Sequence, residues 1–314
     1  MLVAVLLLPF FIGVTVCEDD ETMALHFLNR YGYISNTRSG NHDVGTAIRQ
    51  FQDFYGLQVT GRLDASTVRL MKKPRCGMSD PTPGSRLRRY ATLGKWKKTD
   101  LKYYVQPGQD LPHDEQRGIF AQALQFWADV SGLTFSEVGS ASEADMKISF
   151  GRNSHRGTNV EGTCPYPFDG RGGVLAHAYF PQDGRAHFDE DESFTHGTSR
   201  GVNLLWVAVH EFGHSLGLQH TNIQGAIMFP YYTGYVPDMK LHSDDIAGIQ
   251  YLYGANSGGG GGGGSDQTPA PTVPENCEDR SSTPCQPYKD AGYCDTYPDN
   301  MKYWCEKTCF NCQE

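Results

Sequence analysis

Two stretches near the start, "ALHFLNRYGYI" (24–34) and "VGTAIRQFQDFYGL" (44–57), carry apolar residues at three- and four-residue spacing, the period of a helix with one buried stripe. "LDASTVRLM" (63–71) predicts a third short helix with Asp64 as its N-cap. "PTPGS" (81–85) breaks the pattern, so these helices read as one small unit. Beyond residue 90 the period changes. "LKYYV" (101–105), "MKISF" (146–150) and "GGVLAHAYF" (172–180) read as strands. "DEQRGIFAQALQFWADVSG" (114–132), "NLLWVAVHEFGHSLGL" (203–218) and "SDDIAGIQYLYG" (243–254) read as helices, the last capped by Ser243 and stopped by Gly254. Strands interleaved with helices predict a mixed α/β domain over residues 90–254.

The flanks differ in kind. "MLVAVLLLPFFIGVTV" is apolar and runs straight into "CEDDE". It is shorter than the ~20 residues a membrane helix needs and fits a secretory signal over residues 1–17, with a signal anchor as the alternative. Residues 255–276 are a Gly- and Pro-rich linker that, as a random coil, would span on the order of 25 Å. Six of the nine cysteines follow it, at 277, 285, 294, 305, 309 and 312, and in a secreted chain such density means a disulfide scaffold. Cys76 and Cys164 stand apart from that scaffold. A net charge of −9, with only short basic runs, argues against a general affinity for nucleic acid. One of those runs, Arg86-x-Arg88-Arg89, resembles a furin-type processing site, where a cut after Arg89 makes Tyr90 a new N-terminus.

The chemistry concentrates in "HEFGHSLGLQH" (210–220). On a helix His210 and His214 project from one face, Gly217 lets the chain turn, and His220 returns as a third ligand. Three neutral imidazoles leave one position on a zinc ion open, as a catalytic site requires, and Glu211 is placed to act as general base. This stretch resembles the metzincin zinc proteases, and Thr221 after the third histidine suits the matrix metalloproteinases among them. "AIMFP" (226–230) resembles their Met-turn, with Met228 beneath the zinc, and "PRCGMSD" (74–80) resembles their cysteine switch.

The resemblance implies a latent zymogen with a three-helix pro-domain over residues 18–89 and a catalytic domain built as a twisted mixed sheet plus three helices. It implies peptide hydrolysis by a water that zinc activates, with extracellular protein substrates, and inhibition by tissue-inhibitor-type proteins. Cys76 would fill the fourth zinc position in the latent form, and Arg75 would anchor its loop with Asp80 holding the guanidinium. Ser79 stands where the family usually carries proline, which implies a looser loop. A structural zinc is implied at His155, His177 and His187. Its usual aspartate is replaced, leaving Cys164 or Glu161 as the fourth ligand. A calcium loop is implied at Asp169, the carbonyls of Gly170, Gly172 and Val174, then Asp189 and Glu192. A further calcium site at Asp145 is put in doubt by Arg185, which stands where an aspartate is expected.

Extended substrate would pair with the strand at Leu175 and Ala176 and contact Tyr232. Trp206 reads either as the floor of the S1′ pocket, favouring small or medium side chains, or as a packed core tryptophan. Asp244 reads either as the partner of the Tyr90 ammonium after processing or as an acid at a helix N-terminus. The terminal cysteines (277–312) are similar in spacing to the ShKT, toxin-like module, which implies the pairs Cys277–Cys312, Cys285–Cys305 and Cys294–Cys309. The lysine of its channel-blocking members is not matched, since Asp299 and Asn300 hold the aligned positions and Lys302 falls later. A binding or targeting role, with its partner open, is the expectation there, and a protein acting mainly through that module is the alternative to the enzyme.

Overall fold

The computed structural model describes residues 19–34, 43–81, 92–155 and 164–256, together with Thr308. The expected signal (1–17), the expected processing site at Arg86–Arg89 with Tyr90, Glu161, most of the linker and the six terminal cysteines lie outside the described residues.

Each helix of the N-terminal trio starts on an aspartate that caps it. Asp19 accepts from the Thr22 amide to start α1 (Asp20–Arg30), Asp43 from Thr46 to start α2 (Val44–Phe54), and Asp64 from Thr67 to start α3 (Ala65–Met71). Their apolar stripes close on a shared cluster that includes Phe27, Leu28, Ile48, Phe51, Tyr55 and Met71. The same cluster takes in Phe168, Val174, Phe229 and Tyr231, so the trio shares its core with the larger domain. Tyr55 meets the Phe229 and Tyr231 rings edge-on, with centroids 5.8 and 5.1 Å away. Such pairs contribute about 0.5–1.5 kcal/mol each beyond their buried area.

The larger domain has β2 (Asp100–Val105), α4 (His113–Val130), β3 (Thr134–Glu137), β4 (Met146–Gly151), β5 (Val174–Ala178), β6 (Arg185–Asp189), α5 (Leu204–Ser215) and α6 (Ser243–Tyr253). A small pair, β7 (Phe194–Thr195) and β8 (Val202–Asn203), precedes α5. The main sheet runs β1-β5-β6-β4-β2-β3, where β1 is Arg75–Cys76. Only β5 and β6 pair antiparallel in it. Without β1, β5 would be an edge strand.

Three helices and a mixed sheet match the expected architecture, with three differences. The cap of α6 is His242, not Ser243: its ring accepts from the Asp244 amide while Asp245 returns to the His242 amide, a reciprocal capping box. Ala186–Asp189, which carry His187 and Asp189 of the implied zinc and calcium sites, are strand, with Ala186–Phe188 paired to both β4 and β5. And β3, β7 and β8 are too short to leave a periodic trace in the sequence.

Helices α4 and α5 pack together. Trp127, wholly buried, donates its indole N–H to the Val209 carbonyl at 3.0 Å. That contact fixes α5, the helix carrying His210, Glu211 and His214, against the domain core.

Candidate active site and metal centres

Helix α5 starts at the Asn203 cap, which accepts from the Trp206 amide, and ends at Ser215. Gly217 then adopts φ of +110°, and a side chain there would meet the Gly94 carbonyl at 2.4 Å, so glycine is required for the chain to turn and bring His220 back. The result is a buried set in which the ligand atoms of His210, His214, His220 and Cys76 all lie within 4.8 Å of one another. The Nε2 atoms of His210 and His220 are 3.3 Å apart, and the Cys76 Sγ is 3.5 Å from His214 Nε2.

Each outward ring nitrogen has its own acceptor. His210 Nδ1 donates to the Ile227 carbonyl at 2.6 Å, His214 Nδ1 to the Leu218 carbonyl at 2.7 Å, and His220 Nδ1 to Asp80 at 2.9 Å. With the protons on Nδ1, three lone pairs converge on one point, which favours a cation. Burial pushes all three imidazoles down, His210 to about 3, so they are neutral ligands at ordinary pH. Burial, with the charge of Glu211, pushes the Cys76 thiol well up, and binding to a cation reverses that preference. Three imidazoles and one sulfur in a closed cluster are a donor set that fits zinc.

Glu211 is 1% exposed, and among the described residues neither carboxylate oxygen has a partner at full hydrogen-bond geometry. Burial pushes its carboxyl up to about 8, and the Cys76 thiol opposes this. An unpartnered carboxylate beside the imidazole set is poised for proton transfer once water enters. Beneath the cluster, a Cβ on Gly213 would sit 2.3 Å from Met228 Sδ, so glycine between His210 and His214 admits Met228 against the helix. Asp245 holds the Met228 turn by accepting from the Ile227 and Met228 amides at 2.8 and 3.0 Å. Sequence reasoning missed Asp245, whose one signal is its place in the first turn of α6.

The strand expected to receive substrate is occupied. Residues 74–77 run parallel to β5: the Arg75 amide donates to the Gly173 carbonyl at 3.0 Å and the Gly77 amide to Ala176 at 2.8 Å. On their other side Cys76 donates to Pro230 and Tyr232 donates to Pro74. Leu175, Ala176 and Tyr232 thus line the slot that residues 74–77 fill. Trp206 stacks on His210 (centroids 5.7 Å, planes 14° apart) and meets Tyr232 edge-on at 5.2 Å.

Arg75 is 1% exposed. Its guanidinium lies 3.6 Å from the Tyr31 ring centroid and donates to both oxygens of Asp80, at 2.7 and 3.2 Å. Burial would raise the Asp80 carboxyl, but Arg75 and His220 outweigh it and hold it well below the usual range. The loop is also tied to the end of α1: the Asp80 amide donates to the Tyr31 carbonyl, and the Ser79 hydroxyl to Arg30 at 3.5 Å.

A second cluster joins His155, Cys164, His177 and His187, whose ligand atoms again lie within 4.8 Å of one another. His187 Nδ1 is 3.0 Å from His155 Nε2 and 3.2 Å from His177 Nε2, and Cys164 Sγ is 3.2 Å from His177 Nε2. Burial alone would raise the Cys164 thiol, yet the three imidazoles hold it well below its ordinary value. Phe168 stacks on His155 at 4.5 Å, and the Tyr179 hydroxyl donates to Cys164 at 3.2 Å; neither was legible in the sequence.

Around Asp169, Gly170, Gly172 and Val174 the loop before β5 meets the end of β6. Glu192 accepts from the Gly172 amide and Asp169 from Val174, while Asp189 keeps one buried oxygen unpartnered. Burial, followed by mutual repulsion among the acids, raises both Asp189 and Glu192, which fits an oxygen-ligated cation such as calcium. Asp145, by contrast, pairs with Lys98 at 2.8 Å and accepts from the Lys102 amide, and Arg185 is taken up by Asp183. Asp244 is half-buried, and desolvation with the neighbouring Asp245 pushes it up to about 7.

A family model described as Matrixin matches residues 95–254. The chain belongs to the matrixin family. A second model, described as a putative peptidoglycan binding domain, matches residues 24–71, the span of the helix trio. Among similar proteins are "Matrix metalloproteinase-19" of Homo sapiens, 42% identical over 275 residues (85% of this chain, 52% of that protein), and "Hatching enzyme" of Paracentrotus lividus, 42% identical over 249 residues (77% and 40%). "Interstitial collagenase" of Equus caballus is 39% identical over 275 residues (84% and 54%). This matrixin therefore spans about half the length of the relatives it matches.

Proposed function

We propose that this matrixin is a secreted zinc-dependent endopeptidase, made latent and cutting extracellular proteins. The observation that carries the reading is the convergence of three neutral Nε2 atoms and the Cys76 sulfur beside the unpartnered Glu211. Zinc held there by His210, His214 and His220 would supply Lewis acidity and an activated water. Glu211 takes the proton of the attacking water and returns it to the leaving amine. The β5 edge aligns the peptide through Leu175 and Ala176, and Trp206 floors the pocket for the side chain after the cut.

Latency comes from Pro74–Gly77 lying in the substrate slot, where Cys76 would be the fourth ligand of the zinc. A furin-like protease cuts after Arg89, the segment leaves, and Tyr90 becomes the N-terminus that Asp244 receives. Tissue-inhibitor-type proteins act on the opened site. The terminal cysteines form an ShKT module that binds a partner or a target. The test is a peptide library given to the processed enzyme. Cleavage should vanish with a chelator, return with zinc, and favour leucine over long aromatic groups after the cut. Chelator-resistant cleavage contradicts the metal reading, and a preference for long aromatics contradicts the role of Trp206.

The second cluster holds a structural zinc with Cys164 as the fourth ligand, and the Asp169–Glu192 loop holds calcium. Cys164→Ser should then reduce bound zinc from two ions to one in the processed enzyme, read by elemental analysis after dialysis. Two ions kept at full affinity would remove Cys164 from the ligand set.

A further inference from the structure

The three imidazoles of the active-site cluster differ in who holds their outer nitrogens. His210 and His214 donate to carbonyls of the catalytic domain itself, Ile227 and Leu218. His220 donates to a side chain of the prosegment, Asp80, at 2.9 Å, with both side chains all but sealed from solvent. The same carboxylate accepts from the Tyr33 and Tyr55 hydroxyls, each at 2.7 Å, and from both Arg75 amino groups. A carboxylate shared by a guanidinium and two phenols has no proton to give, so the His220 ring must carry its proton on Nδ1 and turn Nε2 inward. Tyr33 and Tyr55 belong to the aromatic core of the helix trio.

We propose that Asp80 is a positioning residue for His220 and forms a second prosegment grip on the catalytic centre, independent of the Cys76 thiolate. It fixes the tautomer and tilt of one ligand, makes that imidazole a better donor to the cation, and ties it to the folded core of the pro-domain. The latent chain thus holds its metal more tightly than the processed one for two reasons, and cutting removes both. His220 is the one ligand of the three that loses its partner when the segment departs. The inference rests on the zinc reading of this cluster.

The test uses the full uncut chain loaded with cobalt. The thiolate-to-cobalt absorption of Cys76, taken as the difference from Cys76→Ser, reports whether the prosegment is still docked. Asp80→Asn keeps the size of the side chain and an oxygen for Nδ1–H but removes the charge. It should keep the Cys76 band while weakening metal affinity at this site by about tenfold, within the 10–100-fold range known for partners of ligating histidines. Unchanged affinity with the band intact overturns the proposal, and so does an affinity that falls only together with the band, because Asp80 would then act solely by holding the loop. Nitrogen NMR of the unmutated latent chain is a check that needs no variant: His220 protonated on Nδ1 supports the assignment, and protonation on Nε2 overturns it. Failure of the His210–His214–His220 set to bind cobalt at all would instead remove the zinc reading itself.

Discussion

Replacing Glu211 by alanine should lower peptide hydrolysis by the processed enzyme by about 10²–10⁴-fold, the usual contribution of a positioned general base, while zinc content stays the same. The residue is well suited to a clean experiment. Its carboxylate is buried, and among the described residues only the Cys76 thiol interacts with it, so removing it takes away a poorly satisfied group and little supporting contact. The thermal midpoint of the latent chain should therefore not fall. Zinc analysis, a melting curve and a peptide assay together separate loss of chemistry from loss of fold. Cleavage at the unmutated rate would end the proposed role of Glu211.

Opening the latent form should be dominated by Arg75 and Cys76. In a chain kept uncut by Arg89→Ala, Arg75→Ala leaves Asp80 buried without its cation. Breaking a buried pair in this way costs about 3–5 kcal/mol. The pair here is 2% and 1% exposed at its side chains, so solvent screening offers little relief. That cost falls on the docked state and should shift the balance toward the open form by about 10²–10⁴-fold. Peptide cleavage by the uncut chain should rise accordingly, up to the rate of the processed enzyme. Cys76→Ser should raise it as well, by about tenfold or more, because a hydroxyl is a poor substitute for a thiolate on zinc. Latency unchanged in both variants would show that residues 74–77 do not guard the site.

Much of the candidate site was legible because its chemistry is written at helical spacing. His210 and His214 share a face of α5 by their four-residue separation, Glu211 follows from adjacency, and the Gly217 turn accounts for His220. The Asp64 cap of α3 and the mixed α/β character followed from equally local signals, whereas the Asp43 cap of α2 did not. What escaped were contacts between residues far apart in the chain. His220 and Asp80 are 140 residues apart, and Tyr33 and Asp80 are 47 apart; no periodicity connects them. Phe168 on His155 and Tyr179 on Cys164 are closer in sequence, yet they depend on how a loop closes over β5.

The sequence by itself determined the donor types, their spacing within each element and the presence of two isolated thiols, because these depend on residue identity and on helical or strand geometry alone. The tertiary structure decided where each thiol goes. Cys76 is carried to the His210–His214–His220 set by the pairing of residues 74–77 with β5, and Cys164 meets the His155–His177–His187 set at His177 of β5. It also decided that a carboxylate of the N-terminal segment, Asp80, and not a backbone carbonyl, holds His220. The physical reason is burial. Once Arg75, Asp80 and His220 are sealed from water, each must find its hydrogen bonds among the others, and only the packed fold determines which neighbours remain within reach.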